Sequence, residues 1–152
     1  MKVEANQPRD LESAQRRYRD YLQEKHMFFT RERALILEAV LARNDHFSVD
    51  ELLFDMQQKG LRVSRATLYR SLAQMAESAI LSDVDFGHGH THYESTARPV
   101  HEHLVCRSCS KVIEASSDAF LEAVQQLATA KGFEVQSHKV QIFGTCAECL
   151  KK

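Results

Sequence analysis

Two histidines and two cysteines fall within nine residues of this sequence, and their types and spacing favour metal binding. His101 and His103 lie two positions apart, so on an extended strand both imidazoles project from one face and could share an ion. The chain has two cysteine pairs, each with a two-residue gap: Cys106 with Cys109, and Cys146 with Cys149. A tight turn with this gap directs both sulfurs at one ion. The spacing predicts a structural zinc site beside a second metal site.

The composition is that of a soluble globular protein. The chain has 152 residues, of which 43% are hydrophobic, and a formal net charge of −1. No run approaches the roughly 18 apolar residues of a membrane span, and residues 1–9 lack the apolar segment of a secretory signal. We therefore expect no membrane partner and a cytoplasmic location, where thiols stay reduced and paired cysteines bind metals more often than they form disulfides. Any DNA contact must come from local arginines, not from overall charge.

The first half of the chain reads as four helices. Residues 11–27 form an amphipathic pattern, and Thr30 has the position of an N-cap for the next helix. Ser48 and Glu51 form a capping-box pattern that opens a third helix. A fourth helix is predicted over residues 65–79.

The two short helices that follow the longer one fit a helix-turn-helix. In that motif, the second helix presents its N-terminal residues to DNA. The polar residues left for its surface are competent for base or phosphate contacts: Ser64, Arg65, Thr67, Tyr69 and Arg70. A three-helix bundle with a solvated polar face, and no DNA contact, fits the same pattern.

A hairpin is predicted over residues 80–93, with Gly87 and Gly89 in its turn. A hairpin directly after a recognition helix is the wing of a winged helix. The chain is therefore divided into a first domain of residues 1–95, a hinge of residues 96–99 and a second domain of residues 100–152.

The second domain reads as a small α/β unit. Strands are predicted over residues 103–106, 111–115, 133–135 and 140–144. Ser117 or Asp118 can cap a helix that runs through Lys131 and carries Phe120, Val124 and Leu127 on one face. So small a core usually needs a metal or a second copy for stability, which the four cysteines and oligomerisation could supply.

The order of these features resembles the ferric uptake regulator (Fur) family of bacterial metal-responsive transcription factors. The resemblance rests on the helix motif Ala66–Arg70, on Tyr93 and Glu94 at the end of the hairpin, and on the segment from His101 to Glu114. It implies an α+β fold, with an N-terminal winged helix-turn-helix domain followed by a small α/β dimerisation domain. It also implies a homodimer that binds palindromic operators in double-stranded DNA when metal is bound.

The resemblance implies a regulatory metal site on His46, Glu94, His101 and His103, with Glu114 as a further ligand. Imidazoles with carboxylates suit Fe²⁺, Mn²⁺ or Zn²⁺, so these ions are the expected regulatory cofactors, next to a structural Zn²⁺. Ligands drawn from both domains would couple ion binding to domain orientation.

The family's DNA contacts map onto the fourth helix and the second. The residues implied are Tyr69 and Arg70, with Ser64, Arg65 and Thr67 as neighbours and Arg33 as a phosphate contact.

A further metal site found in many members is expected to be absent or weak. Glu102 and His138 match two of its ligands, but Val100 and Leu121 occupy the other positions and cannot bind a metal through their side chains. Glu122, one residue away, could substitute.

The expected function is a metal-dependent, iron-responsive repressor, because Glu94 and Glu114 resemble the iron sensors, whereas the peroxide sensors carry Asp at such positions. Peroxide, zinc or manganese sensing are the alternatives, although zinc sensors generally use an extra cysteine that this chain lacks. A zinc-stabilised adaptor without DNA binding is a further possibility. A metallohydrolase is disfavoured, because His101-Glu102-His103 is not the helical HExxH arrangement.

Overall fold

A computed structural model describes residues 10–87, 89–136 and 138–151. They form two compact units, the first ending at Arg98 and the second beginning at Pro99. Each unit combines helix with a three-stranded sheet, so the α+β class expected from the sequence is confirmed. Within the described ranges, no helix has both the length and the apolar character needed to cross a bilayer.

The first unit contains four helices and three strands. In chain order these are α1 (Leu11–Glu24), α2 (Arg31–Leu41), β1 (Phe47–Ser48), α3 (Val49–Gln58), α4 (Arg65–Glu77), β2 (Leu81–Asp85) and β3 (Thr91–Ser95). Thr30, Ser48 and Ser64 cap α2, α3 and α4, because each side chain accepts a hydrogen bond from a backbone N–H in the first turn. Asp10 caps α1 in the same way.

Two of these helices end earlier than predicted. α1 stops at Glu24 and α4 at Glu77, and the nearby His26 and Ala79 both have a φ of 56°. This left-handed conformation closes a helix, and the amide one residue later bonds back to the carbonyl five residues before it, at 2.7 Å in α1 and 2.9 Å in α4. Neither residue is a glycine, so neither end is marked in the sequence.

The core of the first unit joins all four helices to the sheet. Its largest fully buried side chains include Tyr18, Leu22, Ile36, Leu37, Phe47, Leu52, Met56, Leu68, Leu72 and Met75. The sheet order is β1-β3-β2, and β1 pairs with β3 so that Phe47 lies opposite Tyr93. β1 was not predicted, because two residues are too few for an alternating pattern. Gly87 and Gly89 have positive φ in the turn of the wing, as their positions suggested.

The second unit contains three strands and one helix. These are β4 (Glu102–Cys106), β5 (Val112–Ala115), α5 (Asp118–Ala130) and β6 (Gln141–Gly144). β4 lies in the middle of the sheet, antiparallel to β5 and parallel to β6. Its register places His103 opposite Glu114 and Cys106 opposite Gly144.

The predicted strand at residues 133–135 is wrong. These residues are not in a sheet, because the amide of Phe133 donates to the carbonyl of Ala128 at 2.9 Å and so completes the C-terminus of α5. Gly132, with a φ of 64°, provides the left-handed residue that this closure requires.

The predicted apolar face of α5 is largely uncovered. Phe120 and Val124 are only partly buried, Leu127 is 65% exposed, and Ala128 is the buried residue of the helix. The pattern was correctly identified as helical, but within the second unit there is too little chain to cover that face.

We expect Ser48→Ala to lower the free energy of unfolding by about 1 kcal/mol, because the N–H of Glu51 loses the hydroxyl that accepts its hydrogen bond. The measurement is urea unfolding followed by circular dichroism. Ser48→Thr keeps a hydroxyl at the cap and serves as the control. Equal losses in the two variants would show that the hydroxyl does not stabilise α3.

Candidate metal centres

The four cysteines of the second unit meet at one end of its sheet. One sulfur from each residue lies within 4.8 Å of the other three, and the sulfurs of Cys109 and Cys146 are 3.7 Å apart. A tetrahedral site with Zn–S bonds of about 2.3 Å sets neighbouring sulfurs about 3.8 Å apart. β4 ends at Cys106, and its pairing with Gly144 brings in the turn that carries the second cysteine pair.

The electrostatics of this cluster fit a cation. The backbone N–H of Cys146 donates to the sulfur of Cys106 at 3.3 Å, and this bond is the largest cause that lowers the pKa of Cys106 to about 6. In contrast, hydrogen bonding with the sulfurs of Cys109 and Cys146 raises the pKa of Cys149 to about 12. All four thiols are free of disulfides. The protein can therefore hold one thiolate unaided, whereas a full set of thiolates needs a positive ion such as Zn²⁺.

Two further contacts fasten the C-terminal tail to the first hairpin of the second unit. The ammonium of Lys111 lies 2.6 Å from the carboxylate of Glu148, and the amide of Arg107 donates to the carbonyl of Gly144 at 2.8 Å. The cysteine pairs are thus held close by interactions outside the cluster.

A histidine pair and a carboxylate lie together elsewhere in the second unit. The ring centroids of His101 and His103 are 4.7 Å apart, and Nε2 of His101 is 3.9 Å from the carboxylate of Glu114. Nδ1 of His101 lies 2.9 Å from the carbonyl oxygen of Pro99. A carbonyl can only accept a hydrogen bond, so this contact places the proton on Nδ1 and leaves Nε2 able to bind a metal.

The first unit brings another histidine beside a carboxylate. Because Phe47 pairs with Tyr93, the residues before and after that pair meet at the end of the ladder. Nε2 of His46 lies 3.4 Å from the carboxylate of Glu94, and a guanidinium nitrogen of Arg98 lies 3.5 Å from the same oxygen. The imidazole of His46 is held against the ring of Phe86, 5.2 Å away. This pair offers one nitrogen and one oxygen ligand.

The residues of the expected weak site are only partly assembled. Nε2 of His138 lies 3.7 Å from the carboxylate of Glu102, and that nitrogen is buried with no hydrogen-bond partner in the described part of the chain. Glu122 is exposed and belongs to neither cluster of potential metal ligands found among the described residues. The strand geometry explains the separation of Glu102 from His103, because successive side chains of β4 point to opposite faces.

The candidate DNA-contact residues lie on α4, at its N-cap and on α2. Those on the surface are Ser64, Arg65, Tyr69 and Arg70, while Thr67 and Arg33 are half-buried. The hydroxyl of Ser64 caps α4 by accepting from the N–H of Thr67 at 3.1 Å, and it lies 2.9 Å from the hydroxyl of Thr67.

The guanidinium groups on this surface already have acceptors. Arg65 forms an ion pair with Asp50, and Nε of Arg70 donates to the carbonyl of Ala66 at 3.2 Å. Arg33 donates to the carbonyl of Phe28.

Two neighbours of the candidate sites were not predicted. Arg98 lies beside Glu94, and Asp50 pairs with Arg65. Neither contact had a local signal in the sequence. A four-residue spacing pairs side chains on a helix, whereas Glu94 lies in β3 and Arg98 in the turn that follows. Asp50 is brought near Arg65 by the packing of α3 against α4.

The comparison with known proteins identifies one family. The family model described as "Ferric uptake regulator family" matches residues 24–143. The zinc uptake regulation protein of Mycobacterium tuberculosis is 34% identical over 120 residues, which cover 79% of this chain and 92% of that protein. The ferric uptake regulation protein of Campylobacter jejuni is 27% identical over 135 residues, which cover 88% of this chain and 86% of the relative.

A solved structure agrees with these relatives. The crystal structure of the ferric uptake regulator of Vibrio cholerae matches with a TM-score of 0.66 and 29% identity, covering 84% of this chain and 98% of that one. The family match spans most of the sequence and includes the segments that carry the cysteines and histidines, except for the final cysteine pair. The chain therefore belongs to the ferric uptake regulator family of metal-responsive transcriptional regulators.

Proposed function

We propose that this protein is a metal-dependent repressor that binds palindromic operator DNA as a homodimer, with Fe²⁺ as its effector. The observation that carries this proposal is the pairing of imidazole with carboxylate in both units. His46 lies beside Glu94 in the first unit, and His101 with His103 lies beside Glu114 in the second. This donor set suits a divalent transition-metal ion that binds reversibly.

The two sets of ligands are proposed to bind one ion together. Glu94 and His101 are seven positions apart, so the connecting chain can span at most about 25 Å and keeps the two sets near each other. Ligands from both units would favour one arrangement of the units over others when the ion is bound. Differential binding of this kind is what makes a metal signal change DNA affinity.

The choice of Fe²⁺ rests on the carboxylates. Two glutamates, Glu94 and Glu114, accompany the histidines, and no cysteine remains outside the four-thiol cluster. Hard oxygen ligands combined with imidazole suit Fe²⁺ and Mn²⁺, and they accept Zn²⁺ as well. Zinc is the second candidate effector, because a relative that is 34% identical is a zinc uptake regulation protein.

The four-cysteine cluster is proposed to hold the structural Zn²⁺. Cys106, Cys109, Cys146 and Cys149 would bind it as thiolates, and the ion would tie the C-terminal tail to the end of β4. The spacing of the sulfurs and the opposed pKa shifts of Cys106 and Cys149 support this assignment.

The DNA-reading surface is proposed to be the N-terminal half of α4 together with Arg33 of α2. Tyr69 and Arg70 would face the major groove, while Ser64, Arg65 and Thr67 lie at the start of the same helix. Tyr69 is 47% exposed although it is aromatic, which suits a residue that packs against a partner.

The partner in the dimer is proposed to cover an apolar stripe of the second unit. Ile113, Leu104 and Ile142 are cross-strand neighbours on one face of the sheet, and they are 42%, 36% and 50% exposed. The uncovered face of α5, with Leu127 65% exposed, adds to the apolar surface of this unit. Monomeric proteins rarely leave such side chains adjacent and open to water.

Glu102 and His138 are proposed to bind a second ion only weakly. They provide two ligands, and Val100 and Leu121 cannot add a third. Two ligands do not define a coordination geometry, so selectivity for a particular metal is expected to be low.

We expect His101→Ala to abolish metal-dependent DNA binding while the fold is retained, because the variant loses one of the proposed imidazole ligands. The assay is a gel shift on a promoter fragment with an inverted repeat, titrated with Fe²⁺ under anaerobic conditions, with Mn²⁺, with Zn²⁺ or with a chelator. The wild type should bind at least about tenfold more tightly with metal.

His90→Ala is the matched control for this experiment, because His90 is an exposed histidine of the wing. It should bind DNA as the wild type does. If the wild type shows no metal-dependent shift with any of the three ions, the repressor proposal fails; if His101→Ala responds like the wild type, the assignment of the regulatory site fails.

We expect Cys109→Ser to lose the tightly bound zinc and to unfold the second unit, because a structural zinc contributes of the order of 10 kcal/mol to a small domain. The measurements are zinc content after dialysis and thermal unfolding. His101→Ala should keep this zinc. Zinc retention in Cys109→Ser, or equal zinc loss in the two variants, would contradict the division between a structural and a regulatory site.

We expect Ile142→Glu to weaken dimerisation at least about tenfold, because a charge would be placed in a buried apolar interface. Sedimentation equilibrium measures the effect. Phe54→Glu, at a side chain of the first unit that is 60% exposed, is the control and should leave the dimer unchanged. A dimer of wild-type strength in Ile142→Glu would show that the stripe is not the interface.

A further inference from the structure

Two tyrosines of α1 are hydrogen-bonded to the C-terminal half of α4. The hydroxyl of Tyr18 donates to the side-chain oxygen of Gln74 at 3.0 Å, and the hydroxyl of Tyr21 donates to the carboxylate of Glu77 at 2.5 Å. The donors are three positions apart on α1 and the acceptors are three positions apart on α4. Residues with this spacing lie on one face of a helix, so the two bonds form successive rungs between the helices.

The hydroxyl of Tyr18 lies where three helices meet. The residue is fully buried, and its ring packs edge-on against Phe29, with 5.8 Å between the ring centroids. Burial raises the pKa of Tyr18, while hydrogen bonding with Ser71 of α4 and Arg33 of α2 opposes that rise. Arg33 is also the proposed phosphate contact, so this tyrosine connects it to the recognition helix.

Met27, in the segment between α1 and α2, also contacts both Gln74 and Arg33. Its sulfur accepts from the side-chain amide of Gln74 at 3.3 Å, and it lies 3.7 Å from a guanidinium nitrogen of Arg33. The amide of Gln74 thus uses both its oxygen and its nitrogen within the protein. Gln74 is half-buried, and these two hydrogen bonds hold its side chain against Tyr18 and Met27.

The second rung is a bond to a charged acceptor. The hydrogen bond to Glu77 raises the pKa of Tyr21 to about 12, because it stabilises the protonated phenol that donates to the carboxylate. Bonds between a hydroxyl and a carboxylate are short and stronger than neutral ones. This second rung lies nearer the surface than the first.

The two hydrogen bonds restrict the rotation and sliding of α4 against α1 more than apolar packing alone would. Leucine and methionine side chains between helices tolerate small rotations and shifts, whereas hydrogen bonds lose strength steeply with angle and distance. Gln74 is four positions after Arg70, so the two side chains lie on the same side of α4. Fixing Gln74 and Glu77 thereby fixes the direction in which Tyr69 and Arg70 point.

We propose that Tyr18 and Tyr21 are positioning residues for DNA recognition, holding α4 at the rotation at which Tyr69 and Arg70 reach the operator together with Arg33. This proposal rests on the proposed function of α4 as the DNA-reading helix. α1 then contributes to DNA recognition by positioning α4, even where α1 does not touch DNA itself.

The test is the double variant Tyr18→Phe with Tyr21→Phe, which keeps both rings and removes both hydroxyls. Affinity is measured by fluorescence anisotropy, with saturating metal, for a duplex with the inverted repeat and for a scrambled duplex of equal length. We expect about tenfold weaker binding to the inverted repeat and less than about twofold change for the scrambled duplex.

Glu77→Gln is the matched control, because its side-chain oxygen can still accept from Tyr21 while the negative charge is removed. It should keep the wild-type preference for the inverted repeat. Equal loss of affinity for both duplexes in the double variant would indicate a general loss of stability and would overturn the proposal. An unchanged preference would overturn it as well.

A measurement without DNA separates this proposal from the proposed function. Amide hydrogen exchange in α4 should become faster in the double variant than in Glu77→Gln. If exchange is unchanged, the tyrosines do not hold α4, whether or not the protein binds DNA. If exchange changes but the wild type shows no preference for the inverted repeat, the proposed DNA-binding function fails and the positioning role fails with it.

Discussion

The register of β4 is the constraint on which the metal chemistry of the second unit depends. β4 lies between an antiparallel and a parallel neighbour, so hydrogen bonds on both edges fix its position. The alternation of side chains then sends His103 to one face and Glu102 to the other, while Cys106 reaches the end of the strand. A slip of one residue would exchange the two faces and separate the thiols from their partners. Three groups of ligands are thus kept distinct by backbone hydrogen bonds.

Local signals in the sequence predicted much of the fold and part of the candidate sites. The caps at Thr30, Ser48 and Ser64 depend on side chains that satisfy amides a few residues away, and the gap within each cysteine pair predicts that its two sulfurs face one ion. The meeting of the two pairs depends instead on the pairing of β4 with β6. The hydrogen bond between Tyr18 and Gln74 could not be predicted, because it joins residues 56 positions apart. Alternating apolar residues at 133–135 suggested a strand. The amide of Phe133 instead donates to the carbonyl of Ala128 at the end of α5.

The two units of this transcriptional regulator gain their stability in different ways. The first has a core of large side chains from every helix, with Tyr18, Leu37 and Leu72 fully buried. The second buries few apolar residues, among them Val105 and Ala128, and leaves Ile142 and Leu127 in water. Small units with thin cores usually depend on a metal or on a partner chain, and the thiol cluster and the apolar stripe are proposed to bind these two. If both proposals hold, the unit that carries most of the proposed metal ligands is also the one whose folding depends most on what it binds.

The ion pair between Arg65 and Asp50 has a consequence for how the protein would distinguish DNA sequences. A free arginine gains energy from any phosphate, whereas Arg65 must give up one carboxylate before it takes another anion. The net gain is the small difference between two similar interactions, both in contact with solvent. Arg65 would then add little to the affinity for random DNA. It would add more at a site where a base edge accepts hydrogen bonds from the guanidinium that has left Asp50. In a protein with a net charge of −1, such pairing within the protein keeps the affinity for non-specific DNA low. The protein would then spend less time bound at sites other than its operator.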